Sequence, residues 1–420
     1  MKFVLACYGT RGDVEPPVAV GRELVRRGHE VWMAVPPDLV GFVEAAGPTA
    51  VGFGPDLQSF VDSVHNTWKN RSRIRDQVRL WQESRQRHAR CWMQMSTTLV
   101  ALADRADALL TGLYLEECAA NIAEYYDIPL ATLHHSPVRS NSQVASLLPA
   151  RLNRIAMTVQ EWLLYWSMST KVEHAQRREL GLSRVIGPSS RRMARRQGTL
   201  EIQAYDEVCF PRLASEWAKW DAQRPFVGAL TMALATDADD EVASWVALGK
   251  PPICFGFGSM PVESPADTID MIGAACAQLG ERALVCAGWA DYRGVPRLEH
   301  VKVVGAVNYE AVFPACRAVV HHGGAGTTAA SLRAGVPTLV LSTFPDQTLW
   351  GVQVDRLKVG TTRLLSATTC ESLVADLRKI LAPDYVSRAS TLATRMTKPA
   401  ESVAKTAALL EHLGYQRSAH

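Results

Sequence analysis

His321, His322, Gly323, Gly324, Ala325, Gly326, Thr327 and Thr328 form one unbroken run directly after the apolar Val319 and Val320. Glycines let a backbone approach an anion closely, and unpaired amides with the dipole at a helix start favour negative charge there. An imidazole and two hydroxyls add further donors. The chemistry such a run suits is gripping a diphosphate and, in a transfer reaction, stabilising the charge that builds on it as it departs. No carboxylate stands inside the run to oppose that charge. A ligand-free strand-to-helix turn also uses glycine, but the histidine ahead of the glycines and the pair Asp346 and Gln347 downstream favour the anion site.

A second chemical feature is Asp13, which closes Tyr8-Gly9-Thr10-Arg11-Gly12-Asp13 after the apolar run 2–7. A carboxylate at the mouth of a strand-to-helix loop faces the cleft outside a parallel sheet, and a nearby helix N-terminus keeps it ionised. Its competing role is a helix cap, because Pro16 suits a first helical turn. The loop lacks GxGxxG, and a carboxylate where a pyrophosphate should sit would repel it, which argues against a dinucleotide-dependent oxidoreductase.

Other constellations read as structural. Asp237-Ala238-Asp239 has the spacing with which acids hold a divalent ion, but it precedes an amphipathic run where acids favour a helix start. The pairs His134-His135 and His321-His322 are poor metal sites, since neighbouring side chains diverge on a strand. No metal site is expected. Gly256-Phe257-Gly258-Ser259-Met260 is not the GxSxG of a hydrolase.

The elements needed to position these residues are legible. Residues 2–7 read as a strand, 16–27 as a helix closed by Gly28, and 31–35 as the next strand, a unit of a parallel sheet covered by helices. A second series runs through a strand at 253–257, a helix at 267–279, strands at 283–287, 301–304 and 319–321, a helix at 327–334 and a strand at 338–342. The spacing of Val403, Ala407, Leu410 and Leu413 predicts a final helix.

At 420 residues the chain exceeds the usual growth of one core, so two domains are expected. The balance of 45 basic against 42 acidic residues gives no case for a nucleic-acid partner. Nine scattered cysteines without CxxC suit reduced core thiols in a cytosolic protein. No stretch approaches the length of a spanning helix, and 3–7 is too short for the apolar region of a signal peptide.

The sequence resembles the family 1 glycosyltransferases of the two-Rossmann-domain (GT-B) type, in particular their antibiotic and mycobacterial glycolipid branch. The resemblance spans nearly the whole chain. It rests on Tyr8-Gly9-Thr10-Arg11-Gly12-Asp13-Val14-Glu15-Pro16, Phe257-Gly258-Ser259-Met260, Ala287-Gly288-Trp289, the run from His322 to Thr327, and Pro345-Asp346-Gln347. It implies an α/β fold of two facing, doubly wound Rossmann-like domains: an acceptor domain over 1–225, a linker over 226–239, a donor domain over 240–398, and a C-terminal helix at 399–420 packed back on the first. By the same resemblance His322, Gly324, Gly326 and Thr327 bind the donor diphosphate with help from Ser259. Trp289 and Val307 hold the nucleobase, Asp346 and Gln347 hydrogen-bond the sugar hydroxyls, and Asp13 is the catalytic base.

The implied reaction is an inverting, metal-independent transfer of a hexose or 6-deoxyhexose, such as rhamnose from a dTDP-sugar, to a hydroxyl of a glycolipid such as a glycopeptidolipid. No cofactor beyond the nucleotide-sugar substrate is implied. Alternatives are transfer from a UDP-sugar to a small natural product, a sugar-nucleotide epimerase, and a non-catalytic sugar-nucleotide binder. Two consecutive histidines leave open whether His321 shares the role given to His322.

On the acceptor side, Lys69, Arg71, Arg73, Arg75, Arg79, Arg85, Arg87 and Arg90 face only Asp76 and Glu83, with Ile74, Val78 and Trp81 at helical spacing. Basic amphipathic helices settle on anionic membranes. A second cluster, Arg191, Arg192, Arg195 and Arg196, follows the apolar stretch 162–166. Both predict peripheral association with the inner face of the plasma membrane, a solvated charged helix being the plainer reading.

Overall fold

The computed structural model describes residues 1–57, 74–144, 149–188, 193, 199–258, 264–288 and 298–418. Six parallel strands, β1 (Lys2–Ala6), β2 (Glu30–Val35), β3 (Thr49–Gly52), β4 (Ala108–Gly112), β5 (Leu130–His134) and β6 (Thr199–Gln203), form one sheet in the order β3-β2-β1-β4-β5-β6. A second parallel sheet holds β7 (Ile253–Gly256), β8 (Ala283–Cys286), β9 (Val301–Val304), β10 (Ala318–His321), β11 (Thr338–Ser342) and β12 (Gly360–Leu364), ordered β12-β11-β10-β7-β8-β9. The two orders are the same doubly wound pattern. Each reverses beside its first strand, between β1 and β4 and between β7 and β10, which is where α/β sheets open a crevice for ligands.

Strands covered on both faces must be apolar almost throughout. Ile253, Phe255, Val285, Val320, Leu339 and Leu341 pack toward the helices Pro265–Leu279 and Cys370–Ile380. The alternate residues Cys254, Leu284, Cys286 and Val319 join Val242, Phe313 and Ala330 in the other core. In the first sheet Val4, Ala6, Ala34 and Leu109 pack with Trp92, Met95 and Leu99 of the long helix Ile74–Ala103. All nine cysteines are unpaired, eight of them buried.

The chain divides into two compact units, one of Met1–Ala204, Arg212–Leu230 and Ala400–His420, the other of Tyr205–Pro211 and Thr231–Pro399. The segment expected as a linker, 226–239, is therefore shared: Lys405 donates to the Phe226 carbonyl at 2.7 Å in the first unit, and Thr231 donates to Glu310 at 3.0 Å in the second. Tyr205–Pro211 leaves the expected 1–225 run because Tyr205 and Phe210 pack edge-on against Trp350, and Gln353 donates to the Cys209 carbonyl. The last helix, Pro399–Ser418, lies in the first unit, where Glu411 pairs with Arg27 at 2.7 Å and His29 at 2.8 Å.

One helix begins earlier than its sequence signal. Residues Arg11–Arg26 are helical, so Pro16 and Pro17 sit inside the helix rather than at its start. They cannot donate to the carbonyls of Gly12 and Asp13, but those residues are exposed and water can satisfy them. The helix is nucleated instead by Thr10 and Asp13.

Candidate active site

Four glycines make a cradle at the C-terminal ends of β7, β8 and β10. Gly258, Gly288 and Gly323 have φ of +60°, +59° and +92°, where side chains are strained. A Cβ on Gly288 would lie 2.0 Å from the Gly258 carbonyl oxygen, and one on Gly323 would lie 2.8 Å from the Gln347 carbonyl oxygen. The His322 ring lies between two bare Cα atoms: a Cβ on Gly258 would meet its Cε1 at 2.9 Å and one on Gly324 its Nε2 at 2.4 Å. No other residue type admits that ring. Gly324 then starts the helix Ala325–Arg333 without any side-chain cap, so its first-turn amides lack that intramolecular partner. A Cβ on Gly326 would meet nothing within 4 Å, leaving its amide face open.

Burial holds the His322 imidazole below its usual pKa, against the opposing pull of the Gly256 carbonyl and the Asp346 carboxylate. The ring is therefore neutral near pH 7. Its Nδ1 is buried without a hydrogen bond of good geometry, an arrangement that costs about 1–3 kcal/mol unless a ligand relieves it.

His321 has a different task. Its Nδ1 accepts the Gly323 amide at 2.9 Å, which puts the proton of a neutral ring on Nε2, 3.4 Å from the Ser331 hydroxyl. Ser331 donates to the Thr328 carbonyl at 2.9 Å and accepts from Thr338 at 3.0 Å. Burial, then the neighbouring His322, push the His321 pKa down to about 3, so it stays neutral. It holds the turn and does not share the ligand role. His321→Leu should leave the buried Gly323 amide unpaired and cost about 1–3 kcal/mol, measured as an earlier thermal transition of the second unit; an unchanged transition would refute this role.

Asp346 is exposed in the first turn of the helix Pro345–Arg356 and reaches His322 electrostatically. Gln347 differs from expectation: its side-chain carbonyl oxygen accepts the amides of Thr343 at 2.9 Å and Phe344 at 3.1 Å, so it caps its own helix and keeps only its nitrogen to donate. The Val307 side chain is committed to the core with Val304 and Val312, so contact with a base would fall to its main chain. Ser259 and Trp289 lie outside the described residues, as do Lys69, Arg71, Arg73, Arg191, Arg192, Arg195 and Arg196.

In the first unit Asp13 follows β1 at the sheet's reversal point. Its Oδ2 accepts the Thr10 amide at 2.7 Å and the Thr10 hydroxyl at 3.2 Å. It belongs to the first turn and bonds back to Thr10, which itself is the N-cap. Gly9, with φ of +145°, makes room for it, since a Cβ there would lie 2.3 Å from Oδ2. Capping and catalysis are thus compatible: the contact aims the carboxylate and leaves it exposed.

Both oxygens of Asp239 are used structurally, by the Thr236 amide and hydroxyl at 2.8 Å each and the Asn308 amide at 2.9 Å. Burial raises its pKa less than the Asn308 and Thr236 hydrogen bonds lower it. Among the described residues no group of three or more His, Cys, Asp or Glu could hold a metal ion.

Sequence reasoning missed a buried ionic cluster at the ends of β4 to β6. Arg139 donates to Glu201 at 2.6 Å, to Glu161 at 3.3 Å and to Glu116, and Arg224 donates to Glu201 at 2.6 Å. His134 stands 3.8 Å from Glu116. The residues are scattered over 109 positions, from Glu116 to Arg224, and nothing in their spacing announces a cluster.

Comparison with known proteins agrees with this geometry. Residues 3–105 match the glycosyltransferase family 28 N-terminal domain, and residues 287–409 match the erythromycin biosynthesis protein CIII-like C-terminal domain. An uncharacterized glycosyltransferase of Mycobacterium tuberculosis is 58% identical over 98% of both chains. Among solved structures, the calicheamicin glycosyltransferase CalG4 superposes with a TM-score of 0.73 at 16% identity, covering 98% of each chain. The glycosyltransferase VinC, solved in complex with dTDP, gives 0.64 at 16% identity over 99% of this chain and 100% of its own. With two parallel sheets of the same doubly wound order and a glycine cradle at the second reversal point, the chain belongs to the family 1 glycosyltransferases of the GT-B type.

Proposed function

We propose that the protein moves a hexose or 6-deoxyhexose, rhamnose from a dTDP-sugar being the favoured case, onto a hydroxyl of a lipid-linked acceptor such as a glycopeptidolipid. The observation that carries the donor half is the His322 ring seated between Gly258 and Gly324 over an uncapped helix start. His322, Gly324, Gly326, Thr327 and Ser259 would grip the diphosphate. Trp289 and the Val307 main chain would hold the base, and Asp346 with the Gln347 nitrogen would hold the sugar. The dTDP bound to VinC supports a thymidine donor.

Asp13 would take the proton of the acceptor hydroxyl as its oxygen bonds to the anomeric carbon. The bond from that carbon to the diphosphate oxygen breaks on the opposite face and its electron pair leaves with the diphosphate, so the centre inverts. Transfer requires Asp13 and the donor to meet at one acceptor. Helix amides and His322, rather than a metal, would carry the leaving charge.

Calorimetry with dTDP, UDP, GDP and NAD, with and without chelator, tests this. Expected is chelator-insensitive binding of dTDP, weakened roughly tenfold or more in His322→Ala, as loss of a hydrogen bond to a charged group implies. Preference for UDP would overturn the donor assignment, and binding of NAD alone would overturn the site.

A further inference from the structure

The helix Ala150–Leu164, continued by a π turn over Tyr165–Ser169, is built inside out. Its buried side is polar. Asn153, 2% exposed, donates to the carbonyls of Asn141 at 3.2 Å and Val144; Glu161 pairs with Arg139 at 3.3 Å; and buried Tyr165 donates to the Glu173 carboxylate. Its apolar side faces out: Leu152, Ile155, Val159, Leu163 and Trp166 recur every three or four residues and are 49% to 73% exposed. Trp162 is 40% exposed, and its ring lies over Gly187, where a Cβ would meet it at 2.7 Å, bringing in Ile186 at 95% exposure. A water-facing helix shows the opposite pattern. The stripe extends about 20 Å at the rise of an α-helix.

We infer that this face rests in the interfacial layer of an anionic lipid bilayer. The charge around it identifies the occupant. Between residues 150 and 187 the exposed charged side chains are Arg151, Lys171, Arg178 and Arg184 against Glu179 alone. An apolar strip ending in tryptophans and accompanied by cations matches the depth profile of a bilayer whose headgroups are negative. A second copy fits poorly, because a two-fold contact would set the same cations against each other. No described helix is long and apolar enough to cross a membrane, so the contact is peripheral. This surface differs from the one expected on the helix Ile74–Ala103. There Trp92, Met95 and Leu99 are core residues, Arg79 pairs with Glu83 at 2.9 Å, and the side chains of Ile74, Val78 and Trp81 lie outside the described residues. The inference deepens the proposal of a lipid-borne acceptor and rests on it for its purpose.

The test is flotation of the full chain with phosphatidylcholine vesicles and with phosphatidylcholine–phosphatidylglycerol vesicles. Expected is binding to the anionic vesicles that weakens with added salt. Ile155→Asn with Leu163→Asn should lower partitioning roughly tenfold or more, and Lys171→Glu with Arg178→Glu should remove the preference for the anionic lipid. All these positions are exposed, so the thermal transitions should match wild type. Wild type that ignores both vesicles, or an Asn pair that binds as wild type, overturns the inference. So does a dimer in analytical ultracentrifugation that the Asn pair dissociates. Calorimetric dTDP binding should be unchanged in both variants, so failure here is separable from failure of the donor site.

Discussion

Asp13→Asn is expected to slow sugar transfer by about a hundred- to ten-thousand-fold while donor affinity and the thermal transition stay at wild-type values. That range corresponds to about 3–5.5 kcal/mol in the barrier. The prediction is sharp because the asparagine oxygen can still accept the Thr10 amide, which lies 2.7 Å from Oδ2 in the native protein. The helix start is therefore preserved and only the proton-accepting charge is removed. Transfer from a radiolabelled donor, with KM for the donor measured alongside, gives the readout. If Asp13 were a cap alone, the substitution would cost about 1 kcal/mol or less of stability and leave the rate intact. Near-native turnover would sink the assignment.

Replacing Arg139 with Met should lower the stability of the first unit by about 3–5 kcal/mol, because it strands two buried carboxylates. For a unit of this size that is a fall of roughly 10 °C in the transition. Glu116 and Glu201 are only 4% and 5% exposed. Burial would raise the pKa of Glu201, but Arg139, then His134 and Arg224, outweigh it and hold the carboxyl at about 2. Its folded pKa is thus depressed, so its contribution is complete above the usual carboxylate range and is lost as pH falls from about 4.5 toward 2. In the variant, burial without Arg139 makes protonation favourable instead. The gap between wild type and variant, followed by calorimetric scanning, should therefore narrow as pH is lowered from 6 to 4. A gap that widens on acidification, or a variant as stable as wild type at pH 7, contradicts the cluster's role.

How much of this was legible beforehand depended on the length scale of each signal. The runs 253–257, 283–287 and 338–342 read as strands because burial on both faces demands continuous apolar residues, and β7, β8 and β11 lie there. β6 (Thr199–Gln203) carries Glu201 and Gln203, both buried, and such a strand has no apolar signature; it exists because Arg139 and Arg224 neutralise Glu201. The first helix was placed from its prolines, the strongest local signal, whereas Thr10 and Asp13 start it five residues earlier.

The sequence by itself determined the doubly wound class, the glycine-rich turn after β10 and the position of Asp13 after β1, since each is written in residues adjacent along the chain. Only the tertiary structure decided which histidine of the pair faces a ligand, because His321 is consumed by Gly323 and Ser331 while His322 occupies the gap between Gly258 and Gly324. It alone showed that Gln347 spends its carbonyl on its own helix cap. It alone turned the apolar side of Ala150–Leu164 outward, because the partners of Asn153 and Glu161, at Asn141 and Arg139, reach them only in the folded chain. Periodicity records that a helix has two faces; which face is buried is decided by what the rest of the chain brings against it.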